Sequence, residues 1–478
     1  RRRHTRYISV TGVQTCALPI SREFMNFLIT VAAFVFALGI LIVFHEFGHY
    51  IVARWCGVKV LRFSLGFGRP LLCLKRGRDQ TEWVVAAFPL GGYVKMLDER
   101  EGEVDPRDLP RAFNRQSLAR RFLIVLAGPV ANFLLAIALY WIVFVSGIPG
   151  LRPVIGGVAP ATPAAEAQLA PGDIILKVGA VNVATWQDAR WTLLQAAVDR
   201  KPVSLEVQNE RGELHWRKLD LSGLKAEALD GDFLAALGFA RLQPPLVPVI
   251  GRMIPGGAGE RAGLQAGDQI VAVDGGTIAR WDQFVAVVSS SPGKSLKIEV
   301  RRAEQVLELV VTPDAVLEKS VSIGRIGAAP KIDRNAMQKY AVDVRFGLIE
   351  SLPKALERTW ETSLFSLRML GKMIVGEVSL KNLSGPITIA DYAGQSAQVG
   401  WVSYLVFLAL ISISLGVLNL LPIPLLDGGH LMYYMFEMFK GSPLSEQAMA
   451  VGQQIGMAVL MVLMVFALYN DITRLVNG

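Results

Sequence analysis

The chain has 478 residues, of which 52% are hydrophobic, and its formal net charge is +8. This length and a positive mean hydropathy are typical of a membrane protein that also carries soluble domains. The three cysteines all precede residue 74, so they exclude a disulfide framework across the rest of the chain and a four-cysteine zinc module. Much of the excess positive charge lies in the first residues, and nothing else indicates nucleic-acid binding.

The stretch 1–24 contains an arginine cluster and fits neither a signal peptide nor the start of a helix. We therefore interpret 1–24 as a tail that does not belong to the natural protein, and we expect Met25 to be the natural start. The alternative is a genuine basic tail. In either case this stretch is excluded from the prediction of the fold.

The first predicted span, at about 26–45, is an apolar run that as a helix nearly crosses a bilayer core. It leads into a His-Glu-x-x-His motif made of His45, Glu46 and His49. On a helix the two imidazoles share one face and can bind one tetrahedral zinc ion, while Glu46 can accept a proton from the water. Such a motif can arise by chance, but ionisable residues at membrane depth are costly and are functional by default. The sequence therefore predicts a hydrolytic zinc site.

Further apolar segments are predicted to span the membrane at about 119–145, 401–426 and 448–469. Between the first two spans, residues 53–121 carry fourteen Lys or Arg and eight Asp or Glu. The positive-inside rule places this loop in the cytoplasm and residues 147–400 on the outer side. The metal motif is therefore expected near the cytoplasmic face.

Within this loop, residues 82–94 are predicted to form two short strands around a Pro-Leu-Gly-Gly turn that contains Gly91 and Gly92. A re-entrant hairpin that dips toward the metal site would present an unpaired strand edge. Such an edge can hold an extended substrate by strand addition. The alternative is an ordinary surface hairpin.

The second span contains the sequence Gly-Pro-Val-Ala-Asn, from Gly128 to Asn132. Proline interrupts the helical hydrogen bonds, and glycine permits close packing against a neighbouring helix. The amide of Asn132 would be costly in hydrocarbon, so we expect it to face the protein interior. There it either packs helices together or supports the metal site.

The outer region contains an internal repeat with an offset of 95 residues. Residues 169–173 (Leu-Ala-Pro-Gly-Asp) correspond to residues 264–268 (Leu-Gln-Ala-Gly-Asp). Two copies of one small domain are therefore predicted, at 150–243 and 246–315. Their succession of strand, small-residue turn, Ala-rich helix, Gly-Asp turn and strand resembles bacterial PDZ domains, which bind extended peptides by strand addition.

Apolar residues recur with helical spacing from Ile349 to Ile374, and the charged residues lie off this stripe. We predict an amphipathic helix within 345–376 that lies on the outer membrane surface, since it precedes further spans. Packing of this helix beneath the repeated domains is the alternative.

The third span ends in residues 419–430, Asn-Leu-Leu-Pro-Ile-Pro-Leu-Leu-Asp-Gly-Gly-His. Pro422 and Pro424 interrupt the helix and free backbone groups that must line a cavity or be buried in protein. A catalytic zinc ion needs a third protein ligand, and the direction of this span brings Asp427 level with the two imidazoles. His430 is an alternative ligand, and Asp427 could instead cap a turn. The pattern of two histidines and one carboxylate favours Asp427.

With these motifs taken together, the chain resembles the site-2 protease family of intramembrane zinc metalloproteases. The resemblance extends over essentially the whole chain from Met25 to its end. The resemblance implies a polytopic α-helical membrane protein with four transmembrane helices. Two tandem α+β PDZ-like domains would be inserted between the second and third spans. The membrane core would then comprise residues 25–146 and 401–478.

The resemblance implies that His45, His49 and Asp427 bind one Zn2+ ion and that Glu46 is the catalytic base. It also implies residues that bind the substrate or support the site. These are Asn419, Asn132, Pro422, Gly91 and Gly92. A metalloendopeptidase of this type acts in regulated intramembrane proteolysis.

Members of this family cleave membrane-spanning segments of single-pass proteins, typically an anti-sigma factor already trimmed outside, and some clear remnant signal peptides. The resemblance implies such substrates, peptides in the PDZ grooves and the lipid bilayer as partners. It places the chain in a bacterial inner membrane, with the PDZ domains in the periplasm as a size filter. The competing interpretation is a membrane-anchored PDZ scaffold with an inert metal. A transporter fits poorly, because the spans show no inverted repeat.

Overall fold

The computed structural model of the protein describes residues 22–224, 233–241, 246–318, 321–331, 338–379 and 383–477. The predicted tail, 1–24, lies outside these residues except for its last three. Those three already belong to a helix that begins at Arg22. The expectation that no helix starts in this stretch was therefore wrong.

Helices and strands are numbered in chain order. The helices in the described residues are α1 (Arg22–Trp55), α2 (Leu118–Ser146), α3 (Pro163–Glu166), α4 (Trp186–Val198), α5 (Phe233–Ala236), α6 (Ala258–Arg261), α7 (Trp281–Ser289), α8 (Ser351–Ile374), α9 (Pro386–Val399), α10 (Trp401–Leu420), α11 (Asp427–Lys440) and α12 (Glu446–Asn477). Two single-turn 3-10 helices, Leu109–Arg111 and Phe113–Arg115, precede α2.

The strands in the described residues are β1 (Val60–Arg76), β2 (Thr81–Met96), β3 (Ile148–Leu151), β4 (Ile155–Val158), β5 (Ile174–Val178), β6 (Val181–Asn182), β7 (Val203–Gln208), β8 (Leu214–Leu219), β9 (Phe239–Arg241), β10 (Ile250–Met253), β11 (Gln269–Val273), β12 (Gly276–Thr277), β13 (Leu296–Arg302), β14 (Gln305–Val311), β15 (Asp314–Glu318), β16 (Val321–Arg325), β17 (Ala328–Pro330) and β18 (Ala341–Val344). The chain divides into two compact units. One comprises the residues up to Ile148 and from Arg345 onwards, and the other comprises Pro149–Val344.

Four helices in the described part of the first unit are long and apolar enough to cross a membrane: α1, α2, α10 and α12. Four spans were predicted, but three of them end elsewhere. α12 continues past its predicted end to Asn477. α1 continues past its predicted end to Trp55, so the His-Glu-x-x-His motif lies inside a continuous helix. α10 ends at Leu420, before its predicted end, because Pro422 and Pro424 lack the N–H that a further helical turn requires.

α2 packs against α1, α8, α10 and α11, so it lies at the centre of the first unit. Its contact with α1 is close, because a Cβ atom on Gly48 would lie 2.3 Å from the carbonyl oxygen of Ala127. Small residues at such crossings let membrane helices approach each other where lipid supplies no hydrophobic driving force. Leu41 and Ile413 are buried in the apolar core around this crossing. The core therefore fixes α1 and α10 on either side of α2.

α8 has two different faces. Its buried residues are small or carry hydroxyl groups: Ser351, Ala355, Thr359 and Thr362. These residues suit close packing against α2 and α10. Most of the apolar residues that led to the prediction of an amphipathic helix are exposed, and Trp360 is 66% exposed. Leu370 is the exception near the end of the stripe, because it packs against the apolar core. Most of the apolar stripe of α8 is therefore left uncovered by the described part of the first unit.

The N-terminus of α9 is capped by a carboxylate of α12, that of Asp471, which is 1% exposed. The carboxylate accepts hydrogen bonds from three backbone amides and one hydroxyl, which belong to Gly385, Ile387 and Thr388. A helix N-terminus has unpaired amides and a partial positive charge, so a buried carboxylate is stable there. This contact holds the C-terminal half of α12 against the start of α9.

β1 and β2 form a sheet that differs from the hairpin predicted at 82–94. In the described pairing, the two halves of β2 do not pair with each other. Both pair with the start of β1, so Leu65 lies opposite Val85 and also opposite Gly92. The later part of β1 pairs with the first half of β2. The predicted turn therefore carries the chain across β1. The alternation of apolar and polar residues predicts where strands lie in the sequence. The pairing of those strands depends on contacts between distant segments.

Most of the described second unit consists of two copies of one arrangement. In the first copy the sheet order is β6-β5-β7-β8 and β4 pairs with β9. In the second copy the order is β12-β11-β13-β14 and β10 pairs with β17. Each copy has its own hydrophobic core, one around Trp186 and the other around Trp281. The pairing of β17 extends the second copy beyond residue 315.

The Gly-Asp turn has the same role in both copies. Asp173 accepts a hydrogen bond from the amide of Ala170, and Asp268 accepts one from the amide of Gln265, each at 2.9 Å. Asp268 also accepts two hydrogen bonds from Arg302, both at 2.8 Å. Burial raises the pKa of Asp268, but the hydrogen bonds from Arg302 and Gln265 outweigh it, so this pKa lies below its usual value.

We expect Asp268→Asn to destabilise the second copy by about 1–3 kcal/mol, because Arg302 loses its charged partner. Asp173→Asn should lower the free energy of unfolding of the first copy by a smaller amount. Folding lowers the pKa of Asp268, so the ionised carboxylate stabilises the folded domain. This stabilisation is fully present above the ordinary Asp pKa of about 4. It is lost as the pH falls through the lower pKa of the folded state. Hydrogen exchange of β11 and β5 in the full chain, as a function of pH, measures both effects. Equal losses in the two copies would contradict this assignment.

Candidate metal centre

α1 presents the two histidines of the motif side by side. His45 and His49 are one helical turn apart, and their Nε2 atoms are separated by 3.3 Å. The ring centroids are 4.9 Å apart in an edge-to-face arrangement. Both side chains are largely buried, with exposed fractions of 14% and 11%. The two ring nitrogens therefore face a common position inside the protein.

The third member of the group comes from the start of α11. Asp427 is the first residue of that helix. Its Oδ2 atom lies 3.1 Å from Nε2 of His45 and 3.5 Å from Nε2 of His49. Among the described residues, these three form a group that could hold a metal ion, and His430 is not part of it. The structure therefore favours Asp427 over His430 as the third ligand.

The three donor atoms lie within about 0.2 Å of the spacing expected around a tetrahedral zinc ion. A tetrahedral ion with bonds of about 2.0–2.2 Å places its ligand atoms about 3.3–3.6 Å apart. The observed separations are 3.1, 3.3 and 3.5 Å. Oδ2 of Asp427 is also buried without a hydrogen-bond partner in the described part of the chain. A buried carboxylate oxygen that faces two imidazoles is costly unless a cation binds between them. Three ligands also leave a fourth position for water, as in catalytic zinc sites.

The loop at 421–426 that delivers Asp427 is held by backbone contacts. Gly428 and Gly429 pack directly on this loop, since a Cβ atom on them would lie 2.2 and 2.5 Å from loop carbonyl oxygens. Leu425 has a φ of 125°, which residues other than glycine rarely adopt and which often marks a functional site. The position of the carboxylate is therefore determined by the backbone on both sides of it.

Each imidazole is oriented through its second ring nitrogen. Nδ1 of His49 lies 2.8 Å from the carbonyl oxygen of Ile124 in α2. Nδ1 therefore carries the proton, and Nε2 is left for the metal. Nδ1 of His45 lies 3.2 Å from the side-chain nitrogen of Asn132. The side-chain oxygen of Asn132 is buried without a described partner. Rotation of this amide by 180° would let it accept the Nδ1–H of His45.

Gly128 permits this close approach of α2. A Cβ atom at this position would lie 2.2 Å from Nε2 of His49 and 2.9 Å from Cε1 of His45. Any larger residue would therefore displace the imidazoles. The neighbouring Pro129 is buried inside the helix. The Gly-Pro sequence, which predicted close helix packing, thus lies against the metal centre itself.

Glu46 lies beside β2. A Cβ atom on Gly92 would lie 2.9 Å from Cγ of Glu46, and the backbone of Val94 lies near the Glu46 carboxylate. An extended strand therefore passes directly beside this side chain. Gly91 has a different neighbour, because a Cβ atom there would lie 2.3 Å from the ring of Phe67.

Two of the residues implied by the resemblance precede Asp427 along the chain. Asn419 is in the last turn of α10 and is partly buried. No hydrogen bond between described residues joins it to the three ligands. Pro422 lies in the loop that leads to Asp427. The structure therefore places both residues on the segment that delivers the carboxylate.

Two supporting contacts were not predicted from the sequence. Ser412 of α10 donates a hydrogen bond to the backbone carbonyl of Asn132 at 2.7 Å. A serine inside an apolar span is a signal that could have indicated this contact. Arg121 at the start of α2 forms an ion pair with Glu437 of α11 at 2.7 Å. These two residues are 316 positions apart, so no local pattern predicts their contact. The ion pair holds the helix that begins with Asp427.

Comparison with known proteins agrees with this geometry. A model of Peptidase family M50 matches residues 33–463. The Regulator of sigma-E protease RseP of Escherichia coli (strain K12) is 43% identical over 453 residues, which cover 94% of this chain and 100% of that protein. The Regulator of sigma E protease of Salmonella typhi is 43% identical over 451 residues, with the same coverage. A putative zinc metalloprotease of Neisseria meningitidis serogroup A is 44% identical over 450 residues, also with this coverage.

The matched family region includes both the motif in α1 and the carboxylate at the start of α11. The resemblance found in the sequence is therefore confirmed, as are the metalloprotease class and Zn2+ as the cofactor. The apolar helices agree with a membrane protein. The chain belongs to peptidase family M50, the site-2 family of membrane zinc metalloproteases.

Proposed function

We propose that this chain is an intramembrane endoprotease that cleaves the transmembrane segments of single-pass membrane proteins. The observation that carries the proposal is the group of His45, His49 and Asp427, with Glu46 beside it, on and next to helices that can span a membrane. The substrates include an anti-sigma factor already trimmed outside, and remnant signal peptides. Relatives named for sigma-E regulation support this choice, because they match the chain along their whole length. The role is in envelope stress signalling at a bacterial inner membrane.

The side chains of the metal centre have different roles in peptide hydrolysis. When bound by His45, His49 and Asp427, zinc supplies a Lewis acid and a water molecule of lowered pKa. The Glu46 carboxylate accepts the proton of the attacking water and passes it to the leaving amine. Asn132 holds the imidazole of His45 in the orientation that leaves Nε2 free.

The substrate must unwind locally, because a transmembrane helix hides each scissile carbonyl in its own hydrogen bonds. The end of β2 can replace those bonds by strand addition. It runs beside Glu46 at Gly92, and Gly91 and Gly92 lie on the stretch of this strand that binds the extended substrate. Asn419 and Pro422 bind the substrate backbone from the segment that carries Asp427.

The two copies in the second unit fold as PDZ-like domains, proposed at 150–243 and 246–315. Their matching sheet orders support this proposal. They lie in the periplasm, bind peptides and exclude untrimmed substrates, while the metal centre lies near the cytoplasmic face. The helix within 345–376 rests on the outer membrane surface. The exposed apolar stripe of α8 supports contact with lipid.

We expect Glu46→Gln to lower the cleavage rate of a membrane-anchored test substrate by about 10²- to 10⁴-fold, because the proton acceptor is lost. Zinc content should stay at the wild-type value. The matched control is Glu357→Gln, which makes the same change at an exposed position of α8 and should not alter cleavage. Zinc binding without any cleavage by the wild-type protein would instead favour the membrane-anchored PDZ scaffold.

Metal analysis of purified protein tests the third ligand. Loss of an outer-shell partner typically weakens metal binding by about 10- to 100-fold, and Asp427→Asn should exceed this because a direct ligand changes. His430→Asn should retain zinc, since His430 lies outside the ligand group. The opposite result for the two variants would assign the third ligand to His430.

Gly128→Ala should abolish zinc binding and cleavage, because the added Cβ atom overlaps the imidazole of His49. Gly39→Ala is the matched control in α1, where a Cβ atom meets nothing within 4 Å. It should leave zinc binding intact and stabilise the helix by up to about 1 kcal/mol. Normal zinc content in Gly128→Ala would show that α2 does not limit the space around the ligands.

A further inference from the structure

A cavity of about 590 Å³ lies beside the metal centre in the first unit. One wall is the end of β2, from Val94 to Met96, and a second is α11, which contributes His430. The start of α12 closes another side. The neighbouring residue Gly92 of β2 packs against Glu46, and α11 begins with Asp427. The cavity therefore shares two walls with the site of chemistry. Its volume is within the range of about 300–1,000 Å³ that holds ligands.

Most charged groups that line the cavity are already paired with each other. The pairs are Arg121 with Glu437 at 2.7 Å, Arg100 with Asp98 at 2.6 Å, and Lys95 with Glu101 at 3.4 Å. The lining therefore does not present a strong field of one sign. Such a mixed wall suits a neutral polar ligand, such as a peptide backbone, better than a small ion.

His430 is the lining side chain closest in sequence to the ligand Asp427, one helical turn further along α11. Its imidazole makes no hydrogen bond to another residue in the described ranges. It is packed edge to face against the ring of Tyr433, with the centroids 6.2 Å apart. The ring is thus held in place while its nitrogens remain available to a molecule in the cavity.

We propose that this cavity is a substrate subsite, and that it takes the extended segment just on the cytoplasmic side of the scissile bond. His430 is a substrate-binding residue that hydrogen-bonds the backbone of this segment. The proposal rests on the proposed function, because it assumes a peptide substrate that crosses the membrane. Strand addition along the end of β2 would lead the substrate from Glu46 directly into the cavity.

Crosslinking tests where the substrate lies without requiring cleavage. Ala450→Cys places a thiol in the cavity wall, and it is combined with Glu46→Gln to keep the substrate intact. We expect it to form disulfides with cysteines placed in the cytoplasmic flank of a single-pass test substrate, and not with cysteines in its outer flank. Ala448→Cys, two residues away on α12 and outside the cavity lining, is the matched control. Equal crosslinking of both positions, or of both flanks, would overturn the proposal.

Kinetics test the role of His430. The test substrate is used in two forms, one with its full cytoplasmic flank and one cut back close to the scissile bond. For the full form, His430→Phe should raise KM by about 3- to 10-fold, as expected for one lost hydrogen bond, while kcat is kept. For the short form it should have no effect. His430→Gln should restore binding, and Tyr392→Phe, an exposed change on α9, should alter neither form.

An equal loss for both forms of the substrate, or no loss for either, would remove His430 from the subsite. If the wild-type protein cleaves neither form, the proposed protease function fails. The crosslinking result does not depend on cleavage, so it still decides whether the cavity takes a peptide. The two failures are therefore distinguishable.

Discussion

The buried convergence of two imidazoles and one carboxylate is the constraint on which the rest of the first unit depends. His45, His49 and Asp427 bring their donor atoms within 3.1–3.5 Å of one another. In a region with little water, this arrangement is stable only with a cation between the donors and with each ligand held from behind. The carbonyl of Ile124 and the amide of Asn132 supply that support from α2. The geometry of the metal site therefore depends on the packing of α2 against α1.

Glycines in the first unit let the backbone of one segment pack closely against another segment. Gly128 leaves room for the imidazoles, Gly92 lets β2 pass Glu46, and Gly428 seats the start of α11 on the preceding loop. Dispersion and backbone contacts, not hydrophobic association, hold helices together in lipid, so such close approaches also stabilise the fold. Substitutions at these glycines therefore affect both folding and the placement of the ligands.

The parts of the site that follow from local chemistry could be predicted. The spacing of His45 and His49 on a helix sets their common face, and the prolines after α10 require a break before Asp427. The pairing of β2 with both sides of one segment of β1 could not be predicted, because register depends on contacts across the sheet. Nor could the ion pair of Arg121 and Glu437, whose partners are 316 residues apart. Sequence patterns thus indicated which residues come together at the candidate metal centre, but not how distant segments hold them.

The division of the ligands between α1 and α11 has a consequence for biogenesis. The two histidines in α1 are synthesised long before the carboxylate at the start of α11. Before that point, the inserted N-terminal helices carry an incomplete set of ligands, which binds zinc weakly. A partly synthesised chain therefore lacks the complete donor set that the folded first unit brings together.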